Sequence, residues 1–224
     1  TVDEFSDHYT RRQFTQFMQV CEGLSEMGIS LGLRHSCNSA GTLRFPEMHL
    51  DMVRTGIILY GLYPAPWMKG LLPLVPAMEL KTTVSMVKTI PKGIPVSYGR
   101  TFKSEGDTTI ATVPIGYADG YPRGMSNRAD MLVCGKRAKV VGRVCMDQCL
   151  INVTGIDGVD EGSVVTVIGK DGDEFIPVDE VSALSNTINY ETVCLIGKRV
   201  PRIYHSGGKM IGHLNYIRMQ EELL

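Results

Sequence analysis

The sequence lacks the features that mark membrane, secreted or metal-binding proteins. No apolar run approaches the length of a membrane span and no basic-then-apolar leader is present, so we expect no membrane association. The six cysteines form no C-x-x-C pair and the five histidines are scattered, which predicts reduced thiols in a cytoplasmic protein and no metal site. A formal net charge of −1 argues against broad non-specific binding of nucleic acid. The 224 residues have an ordinary soluble composition, enough for one large domain or two small ones.

The first part of the chain has the pattern of α/β units. Apolar residues at helical spacing predict an amphipathic helix over residues 9–27, with Gly28 as its stop. The apolar segments 29–35 and 49–54 each lead into a polar loop, which predicts parallel strands with ligand-binding loops at their carboxyl ends. Two or three such units cannot cover both faces of a parallel sheet. This region therefore either packs against something outside the chain or belongs to a longer protein.

The second part has a different rhythm. From residue 79 onward, short β-like segments separated by glycine-containing turns predict an all-β barrel or sandwich. We place the boundary near residue 75, which gives domains 1–75 and 76–224. One helix is predicted over residues 178–185, with Asp179 as its cap. The predicted strands are 82–90, 96–102, 108–115, 131–134, 139–144, 150–153 and 164–168.

Residues 95–123 predict a hairpin within this β-rich part. Its two strands are joined by the turn 104–107, where Gly106 can take a positive φ. Each strand brings one tyrosine beside a glycine, Tyr98 in the first and Tyr117 in the second. Tyrosines in strands are usually packing residues. The pair carries a function only if the motifs around it support one.

Three further features of the sequence suggest functional sites. Ser39 and Gly56 lie in consecutive loops and offer a hydroxyl and backbone N–H groups, which suits an anion site but also ordinary turn chemistry. Arg54 is close in register to His35, so it either points into a barrel mouth or is a solvated strand-end arginine. Residues 142–148 place a polar cluster inside a β region, which suits a loop presented to a site or a buried turn.

These stretches follow one another in a fixed order along nearly the whole chain. They are residues 35–40, 51–57, 59–61, 97–99, 115–120, 142–148, 188–191 and 200–202. Together they closely resemble the alanine racemases, pyridoxal-phosphate enzymes that interconvert L- and D-alanine and supply D-alanine for peptidoglycan. The resemblance implies the last units of a (β/α)8 TIM-like barrel, left incomplete, followed by a C-terminal β-barrel or β-sandwich domain.

The resemblance also assigns catalytic and cofactor-binding roles. Tyr98 matches the acid/base that exchanges the α-proton on the L-alanine side. Arg54 matches the arginine that contacts the pyridine nitrogen of the cofactor, with His35 behind it. The residues that match phosphate-binding groups are Ser39, Gly56, Ile57 and Tyr190.

Further residues match the substrate site of the family. Met146, with its neighbour Asp147, matches a position near the substrate carboxylate. Residues that match the substrate entryway are Tyr117, Arg123, Arg143 and Ile188. The resemblance further implies a head-to-tail homodimer, in which Tyr98 and Met146 serve the cofactor of the partner.

Two family features are missing from the sequence. The V-K-A-x-A-Y-G-like motif of the first barrel strand, which carries the Schiff-base lysine, does not occur, and neither does the mid-barrel arginine that binds the substrate carboxylate. We therefore expect a C-terminal fragment of an alanine racemase that is inactive alone.

Two alternatives remain open. One is a racemase for serine or another amino acid within a larger, membrane-fused protein. Tyr190 is the alanine-like residue at a position that can set this preference, which favours alanine. The other is a catalytically dead interaction module, which has no use for the retained Tyr98, Arg54 and Ser39.

Overall fold

The chain divides into two compact units, Thr1–Ala77 and Met78–Leu224, and a computed structural model describes residues 7–218 of it. The first unit contains α1 (His8–Glu26), α2 (Ser39–Arg44) and the single 3-10 turns Pro46–Met48, Ile57–Tyr60 and Pro66–Met68. The elements of the second unit, in chain order, are β1 (Leu80–Thr83), β2 (Met86–Ile90), β3 (Pro95–Val96), β4 (Phe102–Lys103), β5 (Thr108–Val113), β6 (Asp130–Val133), β7 (Lys136–Val140), β8 (Cys149–Asn152), β9 (Val164–Asp171), β10 (Glu174–Ile176), α3 (Val178–Leu184), α4 (Asn189–Leu195), β11 (Arg202–Ser206) and β12 (Lys209–Leu214), with 3-10 turns at Tyr98–Arg100 and Arg123–Met125.

Helix α1 confirms the amphipathic helix predicted over residues 9–27. Its apolar side buries Cys21 and half-buries Phe14 and Phe17. Gly28 follows it with a φ of 74° and donates its N–H to the Ser25 carbonyl at 2.9 Å. Glycine adopts this left-handed conformation without a steric penalty, so Gly28 ends the helix as predicted.

The two parallel strands predicted over residues 29–35 and 49–54 are wrong for the described part of the chain. Both segments run without strand assignment. One backbone hydrogen bond joins them, from the Asp51 N–H to the Arg34 carbonyl (3.1 Å), and a second runs from the Arg54 N–H to the carbonyl of Cys37, just after the first segment (2.9 Å). Two bonds are too few for a parallel β-ladder. A parallel sheet is normally stabilised by several strands that are covered on both faces.

The second unit is built on one antiparallel sheet with the strand order β1-β9-β6-β7-β8-β5-β2, and β10 pairs with β9. Its first two strands, β1 and β2, lie at opposite ends of this order, yet only Val84 and Ser85 separate them in the chain. Since consecutive Cα atoms are about 3.8 Å apart, the two ends of the sheet lie close together. The sheet is therefore curled, which agrees with the expected β-barrel domain.

Residues 82–90 do not form the single strand that was predicted. The chain changes neighbours at the break, where the Val84 N–H donates to the Ser163 carbonyl and the Ser85 N–H donates to the Thr112 carbonyl, both at 2.9 Å. The segment is therefore two strands: the first half pairs with β9 and the second half pairs with β5.

The hairpin predicted between residues 96–102 and 108–115 is also wrong. Strand β3 pairs with β4, whereas β5 pairs with β2 and β8. The chain reverses around Tyr98, where Ser97, Gly99 and Arg100 all have positive φ, and not at the turn 104–107. Gly106 is outside the positive-φ region. Tyr98 therefore sits in a tight turn and not in a strand.

Other boundaries differ in smaller ways. Strand β7 ends at Val140, earlier than the predicted 139–144, because Gly142 turns the chain with a φ of 75°. Helix α3 confirms the helix predicted over residues 178–185, but Pro177 precedes it and Asp179 lies inside its first turn, accepting a hydrogen bond from the Asn189 side chain at 3.0 Å. The sequence patterns gave no sign of α4, β10 or the β11–β12 hairpin.

Candidate active site

The first unit brings Ser39 and Gly56 into direct contact. The Gly56 N–H donates to Ser39 Oγ at 2.9 Å, and Ser39 is 3% exposed at the start of α2. Asn38 fixes the start of that helix, because its side-chain oxygen accepts the Gly41 N–H at 2.9 Å. Ile57 is buried and begins the next 3-10 turn. The two loops predicted to share an anion site are therefore neighbours.

Arg54 and His35 also meet. Arg54 Nη1 lies 2.5 Å from His35 Nδ1 and 3.4 Å from the His35 carbonyl oxygen. A guanidinium can only donate, so Nδ1 must accept and the proton of the neutral ring is placed on Nε2. Both side chains are exposed to solvent. The hydrogen bond to His35 orients the Arg54 guanidinium and leaves its other N–H groups unbonded to the imidazole ring.

The second unit presents Tyr98 on its surface. The Tyr98 side chain is 75% exposed on the tight turn Tyr98–Arg100. Ser97 before it has a φ of 62° and ψ of 174°, a region that is almost exclusive to glycine. Such backbone strain is retained only where surrounding contacts hold it.

Those contacts come from the loop of residues 142–148. The Ser97 hydroxyl donates to the Arg143 carbonyl at 2.8 Å and accepts the Arg143 N–H at 3.1 Å. Gly142 packs so closely that a Cβ there would lie 2.6 Å from Ser97 Cβ. The Arg143 side chain runs along the same turn, with Nε 3.1 Å from the place where a Cβ on Gly99 would be. Arg143 is thereby held beside Tyr98.

Tyr117 is attached to the other side of this loop. The Tyr117 N–H donates to the Cys145 carbonyl at 3.1 Å, and the Ala118 N–H donates to the Met146 carbonyl at 3.0 Å. Gly116 is in close contact as well, since a Cβ on it would lie 2.3 Å from the Cys145 carbonyl oxygen. Met146 and Tyr117 are 54% and 45% exposed, so the loop and its two flanking turns present Tyr98, Tyr117 and Met146 to solvent together.

Arg199 is a member of this group that the motifs did not identify. Its Nε donates to Asp119 Oδ1 at 2.6 Å and its Nη2 donates to Asp147 Oδ1. The hydrogen bond to Asp119, followed by that to Asp147, raises the pKa of the Arg199 guanidinium. Asp119 also accepts the Gly116 N–H at 2.9 Å, so Arg199 links the turn of Tyr117 to the loop of Met146. Its partners are distant in sequence, which left no local signal.

The remaining predicted residues lie on other elements of the second unit. Arg123 is exposed in the turn Arg123–Met125, which is tied to the loop because Ser126 Oγ accepts the Val144 N–H at 2.9 Å. Ile188 is exposed immediately before α4, and Tyr190 is half-buried in its first turn. Burial raises the pKa of the Tyr190 phenol. The structure thus groups Tyr98, Tyr117, Arg143, Met146 and Asp147 closely. Arg123, Ile188 and Tyr190 lie on neighbouring segments.

Within residues 7–218, no group of three or more histidine, cysteine, aspartate or glutamate side chains is arranged to hold a metal ion. No helix in the same range combines the length and the apolar character required to cross a membrane.

Comparison with known families identifies both parts of the chain. The family model for the alanine racemase C-terminal domain matches residues 77–204, and the model for the alanine racemase N-terminal domain matches residues 1–64. The chain belongs to the alanine racemase family. Its members include the alanine racemase of Desulforamulus reducens, which is 52% identical over 205 residues, covering 91% of this chain and 55% of that relative.

Solved alanine racemase structures share the fold. The Bacillus anthracis alanine racemase with bound L-Ala-P superposes with a TM-score of 0.92 at 41% identity, covering 98% of this chain and 56% of that one. The Bartonella henselae alanine racemase with covalently bound pyridoxal phosphate gives 0.76 at 30% identity, covering 88% and 52%. This chain therefore spans about half the length of the alanine racemases that it matches.

Proposed function

We propose that this chain supplies the C-terminal part of a cytoplasmic alanine racemase that uses pyridoxal phosphate and interconverts L- and D-alanine. The observation that carries the proposal is the convergence of two turns on one loop, which presents Tyr98, Tyr117 and Met146 together on an open surface. A packing role for Tyr98 is inconsistent with a side chain that is 75% exposed.

The residues of the first unit fit the cofactor. The contact between Ser39 and the Gly56 N–H pairs a hydroxyl with backbone at the start of a 3-10 turn, and Gly56 has no side chain to obstruct a phosphate. Arg54 offers a guanidinium already oriented by His35. We assign phosphate binding to Ser39, Gly56, Ile57 and Tyr190, and the pyridine nitrogen to Arg54 and His35. When bound, pyridoxal phosphate supplies the electron sink that makes an α-proton removable.

Arg54 would set the strength of that sink. A guanidinium is effectively never deprotonated, so Arg54 cannot give its partner nitrogen a proton. It holds the nitrogen by donation alone, which limits the charge that is drawn away from the α-carbon. Such an arrangement favours protonation at the α-carbon over protonation at other atoms, and racemisation requires that the α-carbon receive its proton on the face opposite to the one that lost it.

Tyr98 would hold and move that proton at its phenol oxygen. Arg143, whose guanidinium is always charged, is held against the same turn. Met146 and Asp147 lie near the substrate carboxylate in this assignment. Tyr117, Arg123, Arg143 and Ile188 line its approach.

A head-to-tail homodimer accounts for the exposure of this surface. A racemase needs a proton-transfer group on each face of the α-carbon, and the chain contains only one of the pair that the family uses. Tyr98 and Met146 point outward on the second unit, which suits a site completed by the partner subunit. Ser39, Arg54 and Tyr190 would then serve the cofactor of their own chain.

The proposal is tested by joining the chain to the missing part of the enzyme. We expect the purified chain to show no L-to-D-alanine turnover and no borohydride-trapped pyridoxal phosphate at a single lysine, because the first unit contains only Lys69 and that lysine lacks the family motif. A chimera that places the preceding barrel part of the Desulforamulus reducens enzyme before Thr1 is expected to racemise alanine.

The control chimera uses the same junction with the relative's own C-terminal part. Turnover in that control but none with this chain contradicts the proposal. Turnover by the isolated chain contradicts the fragment assignment. A strong preference of the chimera for serine over alanine would replace the substrate while retaining the reaction.

A further inference from the structure

Ser97 is not among the residues to which the family resemblance gives a role. Its hydroxyl makes two hydrogen bonds to one residue of the loop, donating to the Arg143 carbonyl at 2.8 Å and accepting the Arg143 N–H at 3.1 Å. Both backbone groups of Arg143 are thus satisfied by a side chain 46 residues earlier in the sequence. This two-way bond directly links the turn that bears Tyr98 to the loop that bears Met146.

The backbone of Ser97 is strained where its side chain makes this link. A φ of 62° with a ψ of 174° is a conformation that glycine adopts freely and that other residues adopt only under strain. A serine at such a position is therefore retained for its side chain. Glycine would relieve the strain but would leave Arg143 without its partner.

The surrounding packing fixes the distance between the two segments. Gly142 lies so close that an added Cβ would be 2.6 Å from Ser97 Cβ. On the far side of Gly142, its N–H donates to the Asn127 side chain at 2.6 Å, and Asn127 also donates to the Thr101 hydroxyl at 3.0 Å. The loop is thus positioned against both ends of the Tyr98 turn, while the Tyr98 side chain itself is open to solvent.

We propose that Ser97 is a positioning residue for proton transfer: its hydroxyl fixes Tyr98 relative to Arg143 and Met146. This inference rests on the proposed racemase function for its catalytic consequence, whereas the physical link can be measured without any activity. Because Tyr98 has few contacts of its own, the orientation of its phenol depends on the turn beneath it. A displacement of about 1 Å at a reacting group can reduce a rate by as much as 100-fold.

The chain contains a matched control for this bond. Thr154 Oγ1 accepts the Thr109 N–H at 2.9 Å and donates to the Thr109 carbonyl at 3.5 Å, a two-way bond across 45 residues. It joins the end of β8 to β5, and it bears no residue of the proposed site. Removing either hydroxyl frees one backbone N–H, that of Arg143 or that of Thr109, although the Thr109 carbonyl keeps the Val153 N–H at 2.9 Å. Of the two bonds, the one made by Ser97 holds the Tyr98 turn.

The first measurement is amide hydrogen exchange on the purified chain. Ser97→Gly and Ser97→Ala are expected to speed exchange of the Arg143 N–H at least tenfold, while Thr154→Ala speeds exchange at Thr109 and leaves Arg143 unchanged. Ser97→Gly should still fold, because glycine readily adopts this backbone conformation. Its denaturation midpoint should therefore lie close to that of the wild type. Unchanged protection of Arg143 in Ser97→Gly overturns the proposal.

The second measurement is made in the active chimera. Ser97→Gly should lower kcat by roughly 10- to 100-fold with KM changed less than threefold, and Thr154→Ala should leave both within twofold. Since Tyr98 is assigned to the L-alanine side, the deuterium isotope effect with α-deuterated L-alanine should rise more than that with D-alanine. Equal losses in both variants, or an unchanged kcat in Ser97→Gly, reject the positioning role. A wild-type chimera without turnover would count against the racemase function alone, because the exchange measurement is independent of it.

Discussion

Cys149 contributes to the response of the second unit to high pH. Its side chain is 1% exposed on β8, and burial, followed by the charge of Cys145, raises the pKa of the thiol from 9.0 to about 12. Between these values the folded chain keeps a proton that the unfolded chain has lost. Stability that is fully present below pH 9 therefore falls as the pH rises toward 12.

Replacing Cys149 removes this dependence. Between pH 8 and pH 10 the free energy of unfolding should fall by about 1.4 kcal/mol more in the wild type than in Cys149→Ala. Urea denaturation under reducing conditions at the two pH values measures the difference. The comparison cancels the contribution of Tyr121, whose pKa burial also raises. Parallel pH profiles for the two proteins would show that the folded thiol ionises in the ordinary range.

Individual residues differ in how far the sequence reveals them. Tyr98 and Met146 belong to short ordered motifs, so their presence in one cluster was predictable once those motifs were taken together. Ser97 and Arg199 act through partners 46 and 80 residues away. No pattern of neighbouring residues predicts such a pairing. A positive φ at a serine cannot be predicted from the sequence either.

At the scale of the element, the turn of Tyr117 depends on the absence of one side chain. Gly116 is buried, and a Cβ there would lie 2.3 Å from the Cys145 carbonyl oxygen and 2.4 Å from that of Met146. Both contacts are to backbone, which cannot rotate away as a side chain can. The turn and the loop can approach this closely only because the residue between them is glycine.

Gly116→Ala is therefore expected to destabilise the chain by about 1–3 kcal/mol, the usual cost of overpacking. Gly106→Ala is the control, since Gly106 has nothing within 4 Å of its added Cβ and no positive φ. That variant should differ from the wild type by less than about 0.5 kcal/mol. Chemical denaturation of both variants provides the test, and equal stabilities would mean that the turn can move away from the loop.

The sequence pattern located several strands without showing how they pair. Alternation of apolar residues located β5, β8 and β9, but it did not reveal which strands pair, because pairing depends on turns and on long-range neighbours. The predicted hairpin was assigned to the wrong turn because the chain reverses around Tyr98, where Ser97, Gly99 and Arg100 have positive φ and two of these three are not glycine. Exposed elements such as the β11–β12 hairpin have no buried face to produce a pattern.

For the whole molecule, the two units differ in how completely they are packed. The second unit contains fully buried side chains on several strands of its sheet, among them Leu132, Ile151 and Val167. In the first unit, α1 buries only Cys21, and a pocket of about 320 Å³ that is open to solvent lies between that helix and residues 35–48. Side chains that line an open pocket make fewer dispersion contacts than side chains in a close-packed core.

Native-state hydrogen exchange should reveal this difference directly. Hydrogen-bonded amides of α1 are expected to exchange on the order of 100-fold faster than those of β8 and β9, because the first unit opens at lower free energy. The short helix α3 of the second unit is the internal control for helical amides. Equal protection of α1 and β8 would mean that the chain unfolds as one cooperative body.

The curled sheet has a consequence for the order of folding. Strand β1 begins the second unit, but its partner β9 is made far later, and Lys81 lies opposite Thr166. Loop-closure entropy must be overcome before so distant a pairing contributes any stability, which makes such topologies slow to form. During synthesis on the ribosome, β1 therefore emerges early and waits with its edge unpaired until β9 follows. The segment from β2 to β8 is the part that can assemble first, and it includes the loop and both turns of the proposed active site.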